Sequence, residues 1–369
     1  MQLTALRAEH LRNLREVDLQ LPAGLTVIGG GNGQGKTSLL EAIYLLGTGR
    51  SFRTRRFEEL VRWNGASMRV VGHVHTRRGD VELAVAMTGE GKQLLVNGAK
   101  RGLEAFLGRL DVVDLTASRM AVLRGGPEER RRFLDRGVVG LDPALLSVLG
   151  EHRRVLQQRN ALLRRGFRVS DASAQLDAWD ERLRAAARQL HLERRRYVER
   201  LAAEVASIGP ELLPDGVAPR LTYRPSPPEL ESIPEDRFDE VFAERLARCR
   251  GRDRELGYTS EGPHRDDLRV ELEGVDLRRF GSAGQVRAAM IALKLGKLSL
   301  LREERGEAPL FLLDDFDTDL DDARIEALAG HLRRAEFQTV VATSKEEVID
   351  RIGGAALKIR MEDGVARAA

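Results

Sequence analysis

One stretch, Val27-Ile28-Gly29-Gly30-Gly31-Asn32-Gly33-Gln34-Gly35-Lys36-Thr37-Ser38, restricts this chain more than any other. From Gly30 it reads Gly, four residues, Gly-Lys-Thr, the spacing of a phosphate-binding P-loop. Glycines let successive backbone N–H groups curl around an anion with no Cβ in the way. A helix starting directly afterwards aims its positive end at the same point. The context supplies both parts: Leu25 to Ile28 read as a buried strand, and Leu39, Leu40, Ile43 and Leu46 as the apolar face of a helix over about 36–47. Gly30, Gly31, Asn32, Gly33, Gln34, Gly35, Lys36, Thr37 and Ser38 are therefore expected to hold ATP. Lys36 would reach the β- and γ-phosphates and the Thr37 hydroxyl would ligate Mg²⁺.

Hydrolysis at such a loop needs carboxylates beside it. Pro309-Leu310-Phe311-Leu312-Leu313-Asp314-Asp315 reads as a buried parallel strand ending in two acids. Asp314 would hold Mg²⁺, and Asp315 would orient and deprotonate the attacking water. Upstream, Ser282-Ala283-Gly284-Gln285 opens an amphipathic helix, with Ser282 as N-cap and Gln285 completing a capping box. A helix start is also an anion site. Downstream follow Asp319-Leu320-Asp321 and a further buried strand, Gln338 to Ala342, ending at Thr343-Ser344.

The order of elements predicts an α/β fold of two lobes, and 369 residues exceed the usual size of one core. Short alternating strands over 2–8 and 15–21 precede the P-loop, and hairpins over 68–96, with an Asn97-Gly98 turn, make an antiparallel sheet beside it. From about 117 the period becomes helical, with Pro127 opening one helix, long helices over roughly 143–165 and 171–208, and Leu176, Leu183 and Leu190 spaced as a packing seam. Residues 209–234 hold most of the prolines and read as an irregular connection. The expected division is 1–116 with 258–369 as the ATP-binding lobe and 117–257 as a helical lobe.

Charge qualifies what the chain can bind. The formal net charge is +3 although the pI is about 9.1, so basic residues must cluster before nucleic acid is invoked. Arg164-Arg165 and Arg194-Arg195-Arg196 fit either a solvated face or a DNA-facing one. One cysteine, Cys249, excludes an internal disulfide and points to a reducing, cytoplasmic setting. Arg7, Glu9, His10 and Arg12 interrupt any signal-peptide core, and no window reads as a membrane span.

In sequence order, the P-loop, the Ser-x-Gly-Gln helix, the strand ending in Asp-Asp and the Leu-Asp turn resemble the ABC-type ATPases. Over essentially its full length the chain resembles the RecF family of bacterial recombination mediators. The residues carrying the match are Leu11-Arg12-Asn13-Leu14, Gly30 to Thr37, Ser51-Phe52-Arg53-Thr54, Gly126-Pro127 through Asp135, Gly262 to Leu268, Ser282 to Gln285 and Leu312 to Asp321. The Gly126–Asp135 run and Gly262-Pro263-His264-Arg265-Asp266-Asp267 are the most family-specific of these. The resemblance implies an ATPase head related to SMC proteins without their long coiled coil. It implies an ATP-dependent homodimer in which Ser282, Gly284 and Gln285 of one subunit contact nucleotide held by the other, with Asp321 in the D-loop. It also implies binding of double-stranded DNA and single-strand gap junctions, action with RecO and RecR to load RecA, support of the SOS response and replication restart, and a nucleoid-associated location. Arg50, Arg53, Arg55 and Arg56 are candidate DNA contacts; for Arg53 a salt bridge is the equal alternative.

Departures from the ABC pattern bear on rate. Asp315 is one methylene shorter than the usual glutamate, and Thr343-Ser344 replace a switch histidine, so slow hydrolysis and a long-lived dimer are expected. Ala117-Ser118-Arg119-Met120 stand where the family carries an acidic segment, and the Q-loop equivalent is left unassigned. A competing reading, the ATPase subunit of an ABC membrane transporter, expects the signature nearer the P-loop than Ser282 lies.

Overall fold

The computed structural model describes residues 1–116, 121–165, 172–212, 216–314, 326–328, 330–332, 337–344 and 354–368. Among them the chain runs β1 (Gln2–Glu9), β2 (Glu16–Gln20), β3 (Leu25–Gly29), α1 (Lys36–Thr48), β4 (Met68–Thr76), β5 (Gly79–Thr88), β6 (Gly91–Val96), β7 (Ala99–Lys100), α2 (Leu103–Phe106) and β8 (Val112–Leu115). Next come α3 (Ala121–Arg124), α4 (Pro127–Leu141), α5 (Leu145–Arg165), α6 (Ala172–Leu212), β9 (Arg220–Arg224), α7 (Phe238–Leu256), β10 (Asp267–Leu272), β11 (Val275–Asp276) and α8 (Leu277–Phe280). The chain closes with α9 (Ala283–Arg305), β12 (Leu310–Asp314), β13 (Thr339–Thr343), β14 (Leu357–Glu362) and β15 (Val365–Ala368). It divides into two compact units. The first comprises Met1–Met120, Glu204–Ala218 and Gly281–Ala369; the second comprises Ala121–Ala203 and Pro219–Phe280.

The first unit is built on two sheets. One has the order β15-β14-β3-β13-β12-β8, parallel from β14 to β8, and its inner strands are apolar runs buried on both faces, as a covered parallel sheet requires. The other, β2-β1-β4-β5-β6-β7, is antiparallel, and β4 alternates buried and exposed residues, with His73 and His75 on its exposed face. Helix α1 is buried on nearly every side because it packs against strands of both sheets; Leu39, Leu40, Ile43, Leu45 and Leu46 share one core with Leu3, Leu6, Val70, Leu312 and Val340. Gln338 fastens the sheets by accepting from the Leu3 amide at 2.8 Å and donating to the Leu3 carbonyl at 2.8 Å. The Asn97-Gly98 turn has φ 50° and 75°, the primed geometry its sequence demands.

The second unit packs α4 to α7 with the three-stranded sheet β11-β10-β9. Leu176, Leu183 and Leu190 are fully buried, and Val155 of α5 shares a core with Leu183 and Ala187 of α6, so the two long helices lie side by side. Among the described residues the expected lobe boundaries differ from this division in two places. Residues 258–280 belong with the helical unit, because β10 pairs with β9 from Asp267↔Arg224 to Glu271↔Arg220. Residues 204–218 are compact with the first unit. The proline-rich stretch also contains β9, whose Leu221 and Tyr223 alternate into the core. Residues 166–171, between the two long helices, lie outside the described residues.

Candidate functional site

The loop between β3 and α1 has the backbone its glycines permit. Gly35 precedes the helix at φ +113°, and a Cβ there would come within 2.9 Å of Leu14 Cδ2. Gly30 sits at φ +143°, with a Cβ position 2.7 Å from the Met361 carbonyl oxygen, so neither position accepts a side chain without movement. No side chain caps the N-terminus of α1 and no acid occupies its first turn, which leaves an electropositive helix end facing the loop. Lys36 lies across the loop, donating to the carbonyls of Gly30 at 2.6 Å and Gly31 at 2.9 Å. The Thr37 hydroxyl donates to Asp314 Oδ1 at 3.2 Å, joining the P-loop helix to the end of β12. Two hard oxygens so placed suit Mg²⁺. Among the described residues no group of three or more His, Cys, Asp or Glu side chains converges on a metal position.

Three supports hold the loop, and local sequence reading assigned none of them. Asn13, in the turn after β1, donates to the Gly33 carbonyl at 2.8 Å and accepts from the Ser38 hydroxyl at 2.7 Å. The β14–β15 turn holds Gln34 through the amides of Asp363 and Gly364. The third support is Glu41 of α1, wholly buried, which receives both Arg12 Nε and Nη2 at 3.1 and 3.2 Å and the Ser51 hydroxyl.

That last support decides the place of the arginine loop. Ser51 accepts from the amides of Arg53 and Thr54, so Ser51-Phe52-Arg53-Thr54 forms a turn anchored on α1. Arg53 stands 3.9 Å from Glu41, the salt-bridge alternative, while remaining about half exposed. Arg56 is exposed, 4.0 Å from Glu59, and Arg50 and Arg55 are exposed. Lys92 closes the loop from the antiparallel sheet, donating to the Gly49 carbonyl and lying 4.7 Å from the Phe57 ring centroid; burial, then Arg50, hold its pKa below the ordinary lysine value.

Ser282 caps α9 as expected: its hydroxyl accepts from the Gln285 amide at 3.2 Å, and its own amide donates to Gln285 Oε1 at 2.9 Å. Ser282 is exposed, and Gly284 and Gln285 are half-buried. Asp315 and Asp321 lie outside the described residues, as do Ala117-Ser118-Arg119-Met120.

The two most family-specific stretches meet inside the second unit. Arg130 of α4 forms a two-pronged pair with Asp267, at 2.5 and 2.9 Å, and Arg131 donates to the Asp266 carbonyl at 3.1 Å. Asp266 is buried and accepts from Arg194 at 2.7 Å, from the Ser226 amide at 2.9 Å and from the Tyr223 hydroxyl. Arg194 also pairs with Asp135 at 2.6 Å; burial opposes its charge, yet Asp135 and Asp266 hold its pKa above the ordinary guanidinium value. Of the arginine runs read as a solvated or DNA-facing surface, Arg194 is thus a core residue, bound to acids that the sequence places far away. His152 and His264 lie in the same unit with ring centroids 6.1 Å apart; burial pushes them down to about 3 and about 4.

A parallel sheet ending in a P-loop and an acid-tipped strand, an antiparallel sheet on the same core, and a serine-capped helix define an ATPase head of the ABC and SMC kind. The family model described as RecF/RecN/SMC N terminal domain matches residues 2–367. The chain is 38% identical over 358 residues to the DNA replication and repair protein RecF of Myxococcus xanthus, covering 95% of this chain and 92% of that protein. It is 34% identical over 351 residues to that of Geotalea daltonii, covering 95% of each. The chain belongs to the RecF family. Among solved structures, the recombination mediator RecF with ATP, described as part of the RecFOR pathway, superposes with a TM-score of 0.90 at 29% identity, covering all of this chain and 97% of that one. An Smc head from Pyrococcus yayanosii, at 15% identity and a TM-score of 0.60, shares the fold alone.

Proposed function

We propose that the protein is an ATP-gated, DNA-binding dimer of recombinational repair, a slow ATPase whose bound nucleotide joins two subunits. The 3.2 Å contact between Thr37 and Asp314 carries the reading, because it unites the P-loop with the acid-tipped strand from opposite ends of the chain. Lys36, released from the Gly30 and Gly31 carbonyls, is positioned for the terminal phosphates, and the α1 amides for the same anion. Thr37 and Asp314 would hold Mg²⁺, which when bound neutralises charge on the phosphates. Asp315, the next residue along, orients and deprotonates the attacking water. Ser282, Gly284 and Gln285 read the partner's nucleotide: the Ser282 oxygen accepts within its own cap, leaving the hydroxyl hydrogen for an incoming phosphate. Asp321 completes the subunit contact. The relatives described as DNA replication and repair proteins and the structure described as part of the RecFOR pathway support DNA repair as the setting; RecO and RecR as partners, with RecA loading at gaps, replication restart and SOS induction as the outcome, complete the proposal. Among the described residues no helix is long and apolar enough to cross a membrane.

Light scattering tests the switch, with the protein and Lys36→Met each measured with and without ATP and Mg²⁺. The unmutated protein alone should double its mass, and only with ATP. An unchanged mass when nucleotide is bound refutes a role for Ser282 across subunits.

A further inference from the structure

We propose that the second unit carries a contact site for single-stranded DNA in the cleft bounded by α4, the β9–β10–β11 sheet and α8. The cleft has a volume of about 290 Å³ and is lined by five arginines against two aspartates. Arg130 is committed to Asp267 and shapes the floor. The other four are available. Arg224 pairs with Glu231 at 2.7 Å and Arg269 with Glu271 at 2.9 Å, partly exposed pairs of the kind that water weakens and a phosphate can displace. Arg278 stands 3.7 Å from Asp276, and exposed Arg279 makes no ion pair among the described residues. Directly after it in the chain, Phe280 is 72% exposed. Forked cations in a cleft, and a bare aromatic ring one residue on from the last of them in the same short helix, are the two groups a single strand requires: phosphates in the groove and a base on the ring. Pairing would keep the base in its own stack, so the site selects unpaired nucleotides.

The inference rests on the reading of this protein as DNA-binding but not on nucleotide-driven pairing, so it is tested without ATP. Anisotropy of a labelled oligo(dT) and of a hairpin duplex is measured across a salt series for the full chain, the double variant Arg269→Glu/Arg279→Glu, Phe280→Ser and Phe280→Tyr. The double variant should lower the slope of log affinity against log salt for the single strand by about 1.4, at ~0.7 for each phosphate that is no longer neutralised. Phe280→Ser should weaken single-strand binding by roughly 5- to 150-fold with the slope unchanged, and Phe280→Tyr should bind as the parent does. Duplex affinity should be less affected by Phe280→Ser. Parental affinity and slope in all variants, on a protein that does bind DNA, overturn the site alone. Equal loss on duplex and single strand overturns the selection for unpaired nucleotides. Absence of DNA retention by the parent without ATP, at any salt, overturns the site; absence with ATP and Mg²⁺ as well overturns the DNA-binding reading.

Discussion

Asp266→Ala should unfold the second unit early while leaving the P-loop able to bind nucleotide. The carboxylate is buried and holds three donors: Arg194 at 2.7 Å, the Ser226 amide at 2.9 Å and the Tyr223 hydroxyl. Breaking a buried ion pair from one side costs about 3–5 kcal/mol, and each orphaned neutral donor adds about 1–3 kcal/mol. Arg194 keeps Asp135 and the Pro263 carbonyl, so its charge is not left bare and the ion-pair loss is discounted to about 2 kcal/mol; with about 1 kcal/mol for each of the two neutral donors, a total of about 4 kcal/mol follows. The two tryptophans make the measurement selective. Trp63 is 89% exposed already, whereas Trp179 packs against the core formed by Val155, Leu183 and Phe242, so the emission shift in urea reports the second unit. With a slope near 2 kcal/mol per molar, the midpoint should fall by about 2 M. Asp266→Asn, which keeps an acceptor but not the charge, should fall by roughly half as much. A midpoint that moves by less than ~0.5 M would falsify the account of Asp266 as a structural hub. Lost nucleotide binding with an unmoved midpoint would instead show the stretch to be chemical.

Asn13→Ala removes two hydrogen bonds to the loop and should weaken binding of a fluorescent ATP analogue by roughly 5- to 30-fold, with the Trp179 transition unmoved; unchanged affinity would show the loop to be rigid without it. Acid should destabilise the second unit. His152, His191 and His264 are held at about 3, about 4 and about 4, below the unfolded value near 6.5, first by burial and then by neighbouring His264, Arg195 or Arg265. Their stabilisation is complete above about pH 6.5 and is lost as pH falls toward 4, by ~1.4 kcal/mol per pH unit for each ring. The urea midpoint should drop between about pH 6.5 and 5, less steeply in His152→Gln, and a flat profile over that range contradicts burial of neutral rings.

The P-loop, the acid-tipped strand and the Ser282 cap were legible because each is local, a spacing of a few residues whose physics needs no distant partner. Strands β8 and β14–β15 were not, although β14–β15 brings Asp363 and Gly364 to Gln34 from the far end of the chain. Their short runs carry little periodic signal, and pairing with β12 or β3 makes them strands. Asn13 was visible as a family residue, but its bond to Gly33 exists only once β1 and β3 are assembled in one unit. The same dependence changes what the arginine count means. Arg130, Arg159 and Arg194 are buried on Asp267, Asp253, Asp180, Asp135 and Asp266, so part of the basic excess holds the second unit together and cannot bind DNA. The pI of 9.1 therefore says less about nucleic acid than it suggests. A footprint for phosphate has to be argued from guanidinium groups that reach solvent with weak partners or none, and in the second unit Arg278 and Arg279 are two such groups lining one cleft.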